Sequence, residues 1–205
     1  MAHKFAEIAF TPSVKDVQAE MGSRKAYTNM DSGEFDYAGE LTDDEISFIE
    51  SRDSFYMASV SETEWPYMQH RGGPRGFIGA LDGNRIGFLD YRGNRQYISV
   101  GNVRKNARVS LFFMDYPSKT RLKLLGHARV ATVDEAEALG LKVADGYRAH
   151  PERAFVIDVA GFDWNCPQHI TERYTLEDLR SSIQPLHDRI AELEKQLDEA
   201  RKTRP

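Results

Sequence analysis

WPYMQHRGGPRGFI, residues 65–78, begins like a β-strand and ends as a polar, cationic turn. Gln69, His70 and Arg71 follow the apolar residues in a row, and glycines and Arg75 come next. A core strand has no need of three such side chains, whereas glycines let a ligand approach the main chain closely. Arginine and histidine donate charge-assisted hydrogen bonds to anions. The stretch therefore indicates either a ligand-binding hairpin end or a wide hairpin loop with a solvated tip.

A second polar, cationic segment, DYRGNRQ at residues 90–96, follows a predicted hairpin. The pair Asp82-Gly83 between two apolar runs is typical of a two-residue hairpin turn. Pairing of these strands can bring residues 69–75 and 90–96 to the same rim. We expect guanidinium and amide groups to bind a phosphate there, namely those of Arg71, Arg75, Arg92, Arg95, Asn94 and Gln96. The alternative for each arginine is a solvated surface position.

An aromatic and amide-rich cluster near the end of the strand region adds Trp164, Asn165, Gln168 and His169. Aromatic, amide and cationic groups together suit a flat, phosphorylated cofactor that carries the chemistry itself. The alternative for Trp164 is packing in the core. No nucleophile with a base and a third partner is visible, so no catalytic residue is assigned. Cys166 and His169 are too few ligands for a metal site, and we expect no metal.

Short strand patterns separated by Gly and Asp turns run from residue 54 to residue 164. With few helices between them, they predict a mainly β fold, an antiparallel barrel with peripheral helices. LTDDEISFIESRD, residues 41–53, predicts a helix with Thr42 as N-cap and Glu45 completing a capping box. Residues 1–40 predict an N-terminal arm over the core, with a helix that starts at Ser13.

The C-terminal segment, residues 175–205, has a different pattern. Leucine and isoleucine recur three and four residues apart from Leu176 to Leu197, which is the a/d pattern of a coiled coil. We expect this helix to pair with a second subunit, and the alternative is an amphipathic helix that packs on its own domain. Pro185 predicts a kink or a restart of the helix. The predicted organisation is an arm (1–40), a barrel (41–174) and a dimer-forming helix (175–205).

Composition and charge argue against several classes of protein. The chain has 205 residues and a formal net charge of −5, which argues against nucleic acid as a partner. No apolar run approaches the roughly 20 residues that span a bilayer, so no membrane segment is expected. The N-terminus lacks the pattern of a signal peptide. Cys166 is the only cysteine, and a cytoplasmic setting is expected.

The chain resembles the pyridoxamine 5'-phosphate oxidase-related, FMN-binding split-barrel family in five blocks that follow the family's order. These are QHRGGPRGFI, LDYRGNRQYISVGN, NARVSLFFMDY, LKLLGHARV and FDWNCPQHITERY. The likeness runs from about residue 42 to residue 174. It implies a six-stranded antiparallel split β-barrel, a homodimer, and FMN bound at the subunit interface.

The resemblance also implies which residues contact FMN. The phosphate would be held at residues 94–96, the flavin ring would lie against residues 76–78 near His70 and Arg71, and the partner chain would contribute from residues 164–168. With two further residues of the polar segments, the predicted cofactor-binding set is Gln69, His70, Arg71, Gly76, Phe77, Ile78, Asp90, Asn94, Arg95, Gln96, Trp164, Asn165 and Gln168.

Two departures separate the chain from the vitamin B6 enzyme of the family. It has Gly93-Asn94-Arg95 in place of a Ser-Arg-Lys phosphate segment, and it lacks the C-terminal Arg-Leu-x-Pro end that binds the substrate phosphate. These departures argue against the vitamin B6 substrate and affect the flavin site little. From the resemblance we expect an FMN-dependent oxidoreductase with two-electron transfer through flavin N5. Its small-molecule substrate is unidentified, and NAD(P)H or an amine is a candidate reductant. The alternatives are haem or a deazaflavin in the same barrel, and a non-catalytic FMN-binding or scaffold protein.

Overall fold

The computed structural model describes residues 3–31, 39–164 and 167–202. These residues fall into two compact units. One unit is built from residues 1–115 and 120–167, and the other from residues 116–119 and 168–205.

Helices and strands alternate along the described chain. The helices are α1 (Lys4–Ala9), α2 (Pro12–Glu20), α3 (Arg24–Asp31), α4 (Asp43–Glu50), α5 (Ile98–Lys105), α6 (Val133–Ala138) and α7 (Leu176–Lys202). The strands are β1 (Ser54–Val60), β2 (Pro66–Gly72), β3 (Ile78–Leu81), β4 (Arg85–Tyr91), β5 (Arg108–Asp115), β6 (Thr120–Ala131) and β7 (Pro151–Trp164).

The strands of the described chain make one antiparallel sheet in the order β2-β1-β5-β6-β7-β4-β3. The predicted mainly β fold class is therefore confirmed, with seven strands in place of the six that the resemblance implied. The chain reverses at Asp82-Gly83, and this turn joins the short edge strand β3 to β4. The loop has three residues rather than the predicted two, because Asn84, with φ 58°, also lies between the paired residues Leu81 and Arg85. Pairing of Ile78 with Phe88 and of Leu81 with Arg85 gives β3 its place in the sheet.

Phenylalanine contacts show that the sheet curls around its core. Phe55 of β1 stacks on Phe113 of the neighbouring β5, with ring centroids 5.0 Å apart, and meets Phe88 of β4 edge-on at 5.2 Å. Phe88 in turn stacks on Phe155 of β7 at 5.2 Å. Three strands lie between β1 and β4 in the sheet, so Phe55 and Phe88 touch only because the sheet bends into a barrel. All four rings are at most 1% exposed.

Part of the N-terminal arm lies directly on β7. A Cβ added at Gly161 would lie 2.7 Å from the main-chain nitrogen of Phe5 in α1, so only glycine leaves room for this approach. Helix α2 begins one residue before the predicted Ser13, because Thr11 caps it and Pro12 suits the first helical position.

Helix α4 forms as its sequence predicts. The capping box between Thr42 and Glu45 is present, and Ile49 is fully buried against the barrel. Reciprocal capping satisfies main-chain N–H groups that the first helical turn leaves unpaired. The helix thus closes one side of the core.

The second unit consists of the turn at residues 116–119, the segment from residue 168, and α7. Lys119 bonds Glu172 at 2.6 Å, and the guanidinium of Arg173 lies 4.6 Å above the ring of Tyr116. Helix α7 continues through Pro185, so the predicted restart is wrong. Proline removes one main-chain hydrogen bond, and the long helical stretches on both sides carry the helix across that gap.

No helix in the described ranges combines the length and the apolar character that crossing a bilayer demands.

Gly126 provides a stability test of the barrel. A Cβ there would lie 2.6 Å from the carbonyl oxygen of Asp158 and 2.7 Å from Cγ2 of Ile157. We expect Gly126→Ala to lower the free energy of unfolding by about 1–3 kcal/mol, because the two strands must move apart. Urea unfolding followed by fluorescence measures the change.

Gly101→Ala is the matched control. Gly101 is an exposed residue of α5, and an added Cβ meets nothing within 4 Å. The same substitution should here raise the free energy of unfolding by about 0.5–1 kcal/mol, because alanine favours the helix. Equal effects at both positions would contradict the close approach of β6 and β7 at Gly126.

Candidate functional site

A buried ion-pair network joins β2, β4 and β7. Arg71 of β2 donates from Nη1 to Oδ1 of Asp90 on β4 at 2.6 Å, and Arg153 of β7 donates to Oδ2 of the same carboxylate at 3.0 Å. The side chains of Arg71 and Asp90 are about one-tenth exposed, at 11% and 10%. Four strands separate β2 from β4 in the sheet, so the Arg71–Asp90 pair bridges the open side of the barrel.

The guanidinium of Arg71 lies over two aromatic rings. It lies 5.1 Å from the centroid of Phe155 and 5.7 Å from that of Phe88, within the range of cation–π attraction. Burial lowers the pKa of Arg71, and the charge of Asp90 opposes this shift. An arginine remains charged in a protein under either influence. Its buried Nε has no hydrogen-bond partner among the described residues, which is typical of a site that another acceptor completes.

Glu152 accepts hydrogen bonds from a second set of side chains. It accepts from Nε of Arg92 at 3.0 Å, from Nη2 of Arg153 at 2.8 Å and from the hydroxyl of Tyr97 at 3.3 Å. The hydrogen bond from Arg92 is the main reason why the pKa of Glu152 lies below its usual value, and the bonds from Arg153 and Tyr97 add to it. Arg95 donates from Nε to the Tyr97 hydroxyl at 3.0 Å, and this bond raises the pKa of Arg95.

The main chain between these groups is strained. Arg95 and Tyr97 have φ values of 60° and 54°, in the left-handed region that non-glycine residues rarely adopt. Asn94 supports this turn by accepting from the main-chain N–H of Gln96 at 3.1 Å. Such outliers cluster at ligand sites, where the surroundings hold them in place.

Helix α5 starts directly after this turn, and its N-terminal residues line the same cavity. In the described part of the chain, no side chain caps that N-terminus, so its N–H groups remain available to an anion. Two hydrogen bonds fix the helix to the barrel. Ser99 donates to Oε1 of Gln69 at 2.9 Å, and Asn102 donates to the hydroxyl of Ser59 at 3.0 Å.

Two cavities flank the Arg71–Asp90 pair. The first, of about 170 Å³, lies between the N-terminus of α5, the strained turn and the two acidic residues. Three guanidinium groups and two carboxylates line it, which leaves a positive charge: Arg71, Arg95, Arg153, Asp90 and Glu152. The second, of about 180 Å³, is lined by apolar and aromatic groups as well, including Phe77, Phe88 and Leu89.

The structure brings most of the predicted residues to these cavities. The first is lined by Gln69, Arg71, Asp90, Asn94 and Arg95. The second is lined by His70 and Phe77, and by Gln69, Arg71 and Asp90 as well. Gln96 is exposed beside Asn94, and Gly76 is an exposed turn residue with φ 82°. Ile78 is fully buried in the core, and its side chain lines neither cavity. Arg75 is exposed and also lines neither cavity.

Trp164 lies at the end of β7 and is anchored within its own chain. Its indole Nε1 donates to Oε1 of Glu45 at 2.6 Å, and its ring meets Phe48 edge-on at 4.8 Å. Gln168 belongs to the second unit, and Asn165 lies outside the described residues. A contact of these three residues with a cofactor of another chain stays a prediction.

The sequence reading missed Arg153, Glu152, Tyr97 and Ser99. Asp90 lies opposite Arg153 in the β4–β7 register, and no local pattern in the sequence shows this pairing of distant strands. Tyr97 and Ser99 follow the polar segment directly and mark the start of a helix that was predicted as part of a strand region. Within the described ranges, no three His, Cys, Asp or Glu side chains are grouped to hold a metal ion.

A family model for pyridoxamine 5'-phosphate oxidase matches residues 41–164, which is more than half of the chain. The chain therefore belongs to the pyridoxamine 5'-phosphate oxidase family. The comparison with curated proteins finds no match.

The comparison with solved structures finds matches from several bacteria. HupZ of Group A Streptococcus is 13% identical, with 65% of this chain and 99% of that chain covered and a TM-score of 0.45. The conserved hypothetical protein Rv2991 from Mycobacterium tuberculosis is 13% identical, with 66% and 91% covered and a TM-score of 0.47. A Clostridium acetobutylicum protein related to general stress protein 26, of the pyridoxinephosphate oxidase family, is 14% identical, with 65% and 92% covered and a TM-score of 0.42.

Removal of the Asp90 charge tests the buried network. We expect Asp90→Asn to lower the free energy of unfolding by about 3–5 kcal/mol, because it leaves the largely buried guanidinium of Arg71 without its counter-charge and leaves Arg153 with Glu152 alone. Urea unfolding measures the loss. Glu135→Gln is the matched control, since its partner Arg129 and Glu135 itself are 43% and 44% exposed, and such pairs contribute about 0–1 kcal/mol. A loss at Asp90 no larger than at Glu135 would show that the network is not a stabilising element.

The Glu45–Trp164 contact predicts a dependence on pH. Burial acts to raise the pKa of Glu45, but hydrogen bonds from Thr42 and Trp164 outweigh it, so the folded-state pKa lies below 4.5. The stabilisation is therefore complete above pH 4.5 and is lost as the pH falls through the folded-state pKa. We expect Glu45→Gln to be less stable than the parent protein by about 1.5–3 kcal/mol at pH 7.

This difference should shrink in acid, and the fluorescence of Trp164 should report the same transition. Unfolding curves at several pH values measure it, and the exposed Glu20→Gln replacement controls for the change of one charge. A difference that is constant down to pH 3 rules out the contact as its origin.

Proposed function

We propose that the chain is an FMN-dependent oxidoreductase whose positively charged cavity holds the phosphate of FMN. The observation that carries this proposal is the convergence of Arg71, Arg95 and Arg153 with the uncapped N-terminus of α5 on one small cavity. Helix N-termini and guanidinium groups are the usual ligands of phosphate in proteins.

The charge of the site suits a phosphate monoester. The two carboxylates offset part of the charge of the three lining arginines, and Arg92 bonds Glu152 from the rim. With Arg92 included, four guanidinium groups face two carboxylates and leave a formal charge of +2. A phosphate monoester carries about −1.5 to −2 charges at pH 7 and balances this set.

The size of the cavity limits it to part of the cofactor. Sites for whole ligands of this class measure about 300–1,000 Å³, whereas the cavity measures about 170 Å³. The phosphate fits there, and the ring lies outside it, on the side where His70 and Phe77 line the second cavity. We propose that a second copy of the chain covers the ring, as the resemblance implies, through Trp164, Asn165 and Gln168 of the partner subunit.

Bound FMN would supply two-electron transfer through its N5. The residues of this chain bind and orient it. Because the hydroxyl of Ser99 donates to Oε1 of Gln69, the amide NH₂ of Gln69 is left as a hydrogen-bond donor at the boundary of the two cavities. Phe77 and Phe88 give the second cavity an aromatic wall on which a flat ring can lie. The substrate is a small molecule, and NAD(P)H is one candidate for the reductant.

The exchange of FMN for riboflavin tests the phosphate site. We expect the parent protein to bind FMN more tightly than riboflavin, and Arg95→Ala to weaken FMN binding by about ten-fold or more while riboflavin binding hardly changes. Quenching of flavin fluorescence in titrations measures both dissociation constants.

Arg129→Ala is the matched control, because Arg129 is exposed and lines neither proposed part of the site. It should leave both constants unchanged. If Arg95→Ala retains the full preference for FMN, the phosphate lies elsewhere. Reduction of the bound flavin by NAD(P)H distinguishes an enzyme from a protein that only binds FMN.

A further inference from the structure

Helix α7 presents an apolar face to solvent. The side chains that form it recur three and four residues apart, and the last five are all more than a third exposed: Ile183, Leu186, Ile190, Leu193 and Leu197. A continuous stripe of this kind is the seam of a coiled coil rather than the wider face of a helix that packs on a globular core. The stripe therefore needs a second helix.

The residue types along the stripe select the number of helices. Leu176, Ile183, Ile190 and Leu197 occupy one set of heptad positions (a), and Leu179, Leu186 and Leu193 occupy the other (d). In a parallel assembly, isoleucine at the central a positions with leucine at d favours two strands. Pro185 falls at a c position, outside the seam, where its missing N–H does not disturb the contact.

The charges beside the seam fit a copy of the same helix. Arg189 occupies a g position and Glu194 the following e position, and these two positions face each other across a parallel, in-register pair. Each pair of helices would gain this contact twice. In an antiparallel pair centred on the helix, Arg189 would instead lie against Arg189 of the other copy, and like charges repel.

We propose that α7 forms a two-stranded, parallel, in-register coiled coil with α7 of a second copy of this chain. The seam residues are the contact, and the Arg189–Glu194 pairs between the helices fix the register. The inference goes beyond the proposed function and does not depend on which cofactor the barrel holds.

Cysteine cross-linking of the full chain tests the direction and the register. Leu186→Cys and Leu193→Cys are made separately in a Cys166→Ser background and oxidised under mild conditions. In a parallel, in-register pair each new cysteine meets its own copy, so both variants should form covalent dimers. Lys195→Cys, at an exposed f position two residues from Leu193, is the control and should stay monomeric on a non-reducing gel.

An antiparallel pair centred on the helix places Leu186 opposite Ile190 and Leu193 opposite Ile183 of the other copy. Neither single variant would then cross-link, and the proposal would be wrong. Lack of cross-linking in both variants, with helix content unchanged by circular dichroism, would equally overturn a second copy as the occupant. Cross-linking of Lys195→Cys at the same rate as the others would show collision rather than pairing.

A charge exchange provides a second test that leaves the seam intact. In the Leu193→Cys background, Arg189→Glu and Glu194→Arg should each slow cross-linking several-fold, and the two together should restore it. Arg189 also bonds Glu192 of its own helix at 2.6 Å, and the double exchange does not repair that contact. Restoration therefore reports the pair between helices. If the double variant cross-links as slowly as Arg189→Glu alone, the register is wrong.

Discussion

The buried contact between Arg71 and Asp90 is the constraint on which the barrel and its candidate site both depend. An antiparallel sheet that ends at β2 and β3 has two edges, and here a side chain of β2 reaches a carboxylate on β4 at 2.6 Å. Such a pair is costly to bury, and it holds only when further groups complete it. Arg153 supplies the second cation, and the rings of Phe88 and Phe155 lie beneath the guanidinium of Arg71.

The same contact separates and shapes the two cavities. On one side lie the strained turn at Arg95 and Tyr97, the carboxylate of Glu152 and the start of α5, and on the other side lie His70 and Phe77. Hydrogen bonds to β1 and β2 hold α5 so that its N-terminus lines the first cavity. The fold thus places the cationic cavity beside one that is partly lined by aromatic rings.

Local patterns predicted the local structure well. The capping box of α4, the Asp82-Gly83 turn and the two polar segments were visible in the sequence because each depends on neighbouring residues. Contacts between distant residues were not visible in this way. Arg153 joins the site through its pairing with β4, and Trp164 finds Glu45, which lies 119 positions earlier in the chain. The side of each strand that faces the core follows from register, and this register buries the side chain of Ile78 in the core. A contact of this strand with the flavin stays a prediction.

Membership of the pyridoxamine 5'-phosphate oxidase family sets the fold, and the proposal of an FMN cofactor rests on the cationic cavity. The visible absorption spectrum of the protein, incubated with FMN and then freed of excess by gel filtration, tests this most directly. We predict the two-band spectrum of an oxidised flavin, with one FMN retained per chain. Retention of no flavin, or a haem spectrum in the protein as purified, would contradict the account.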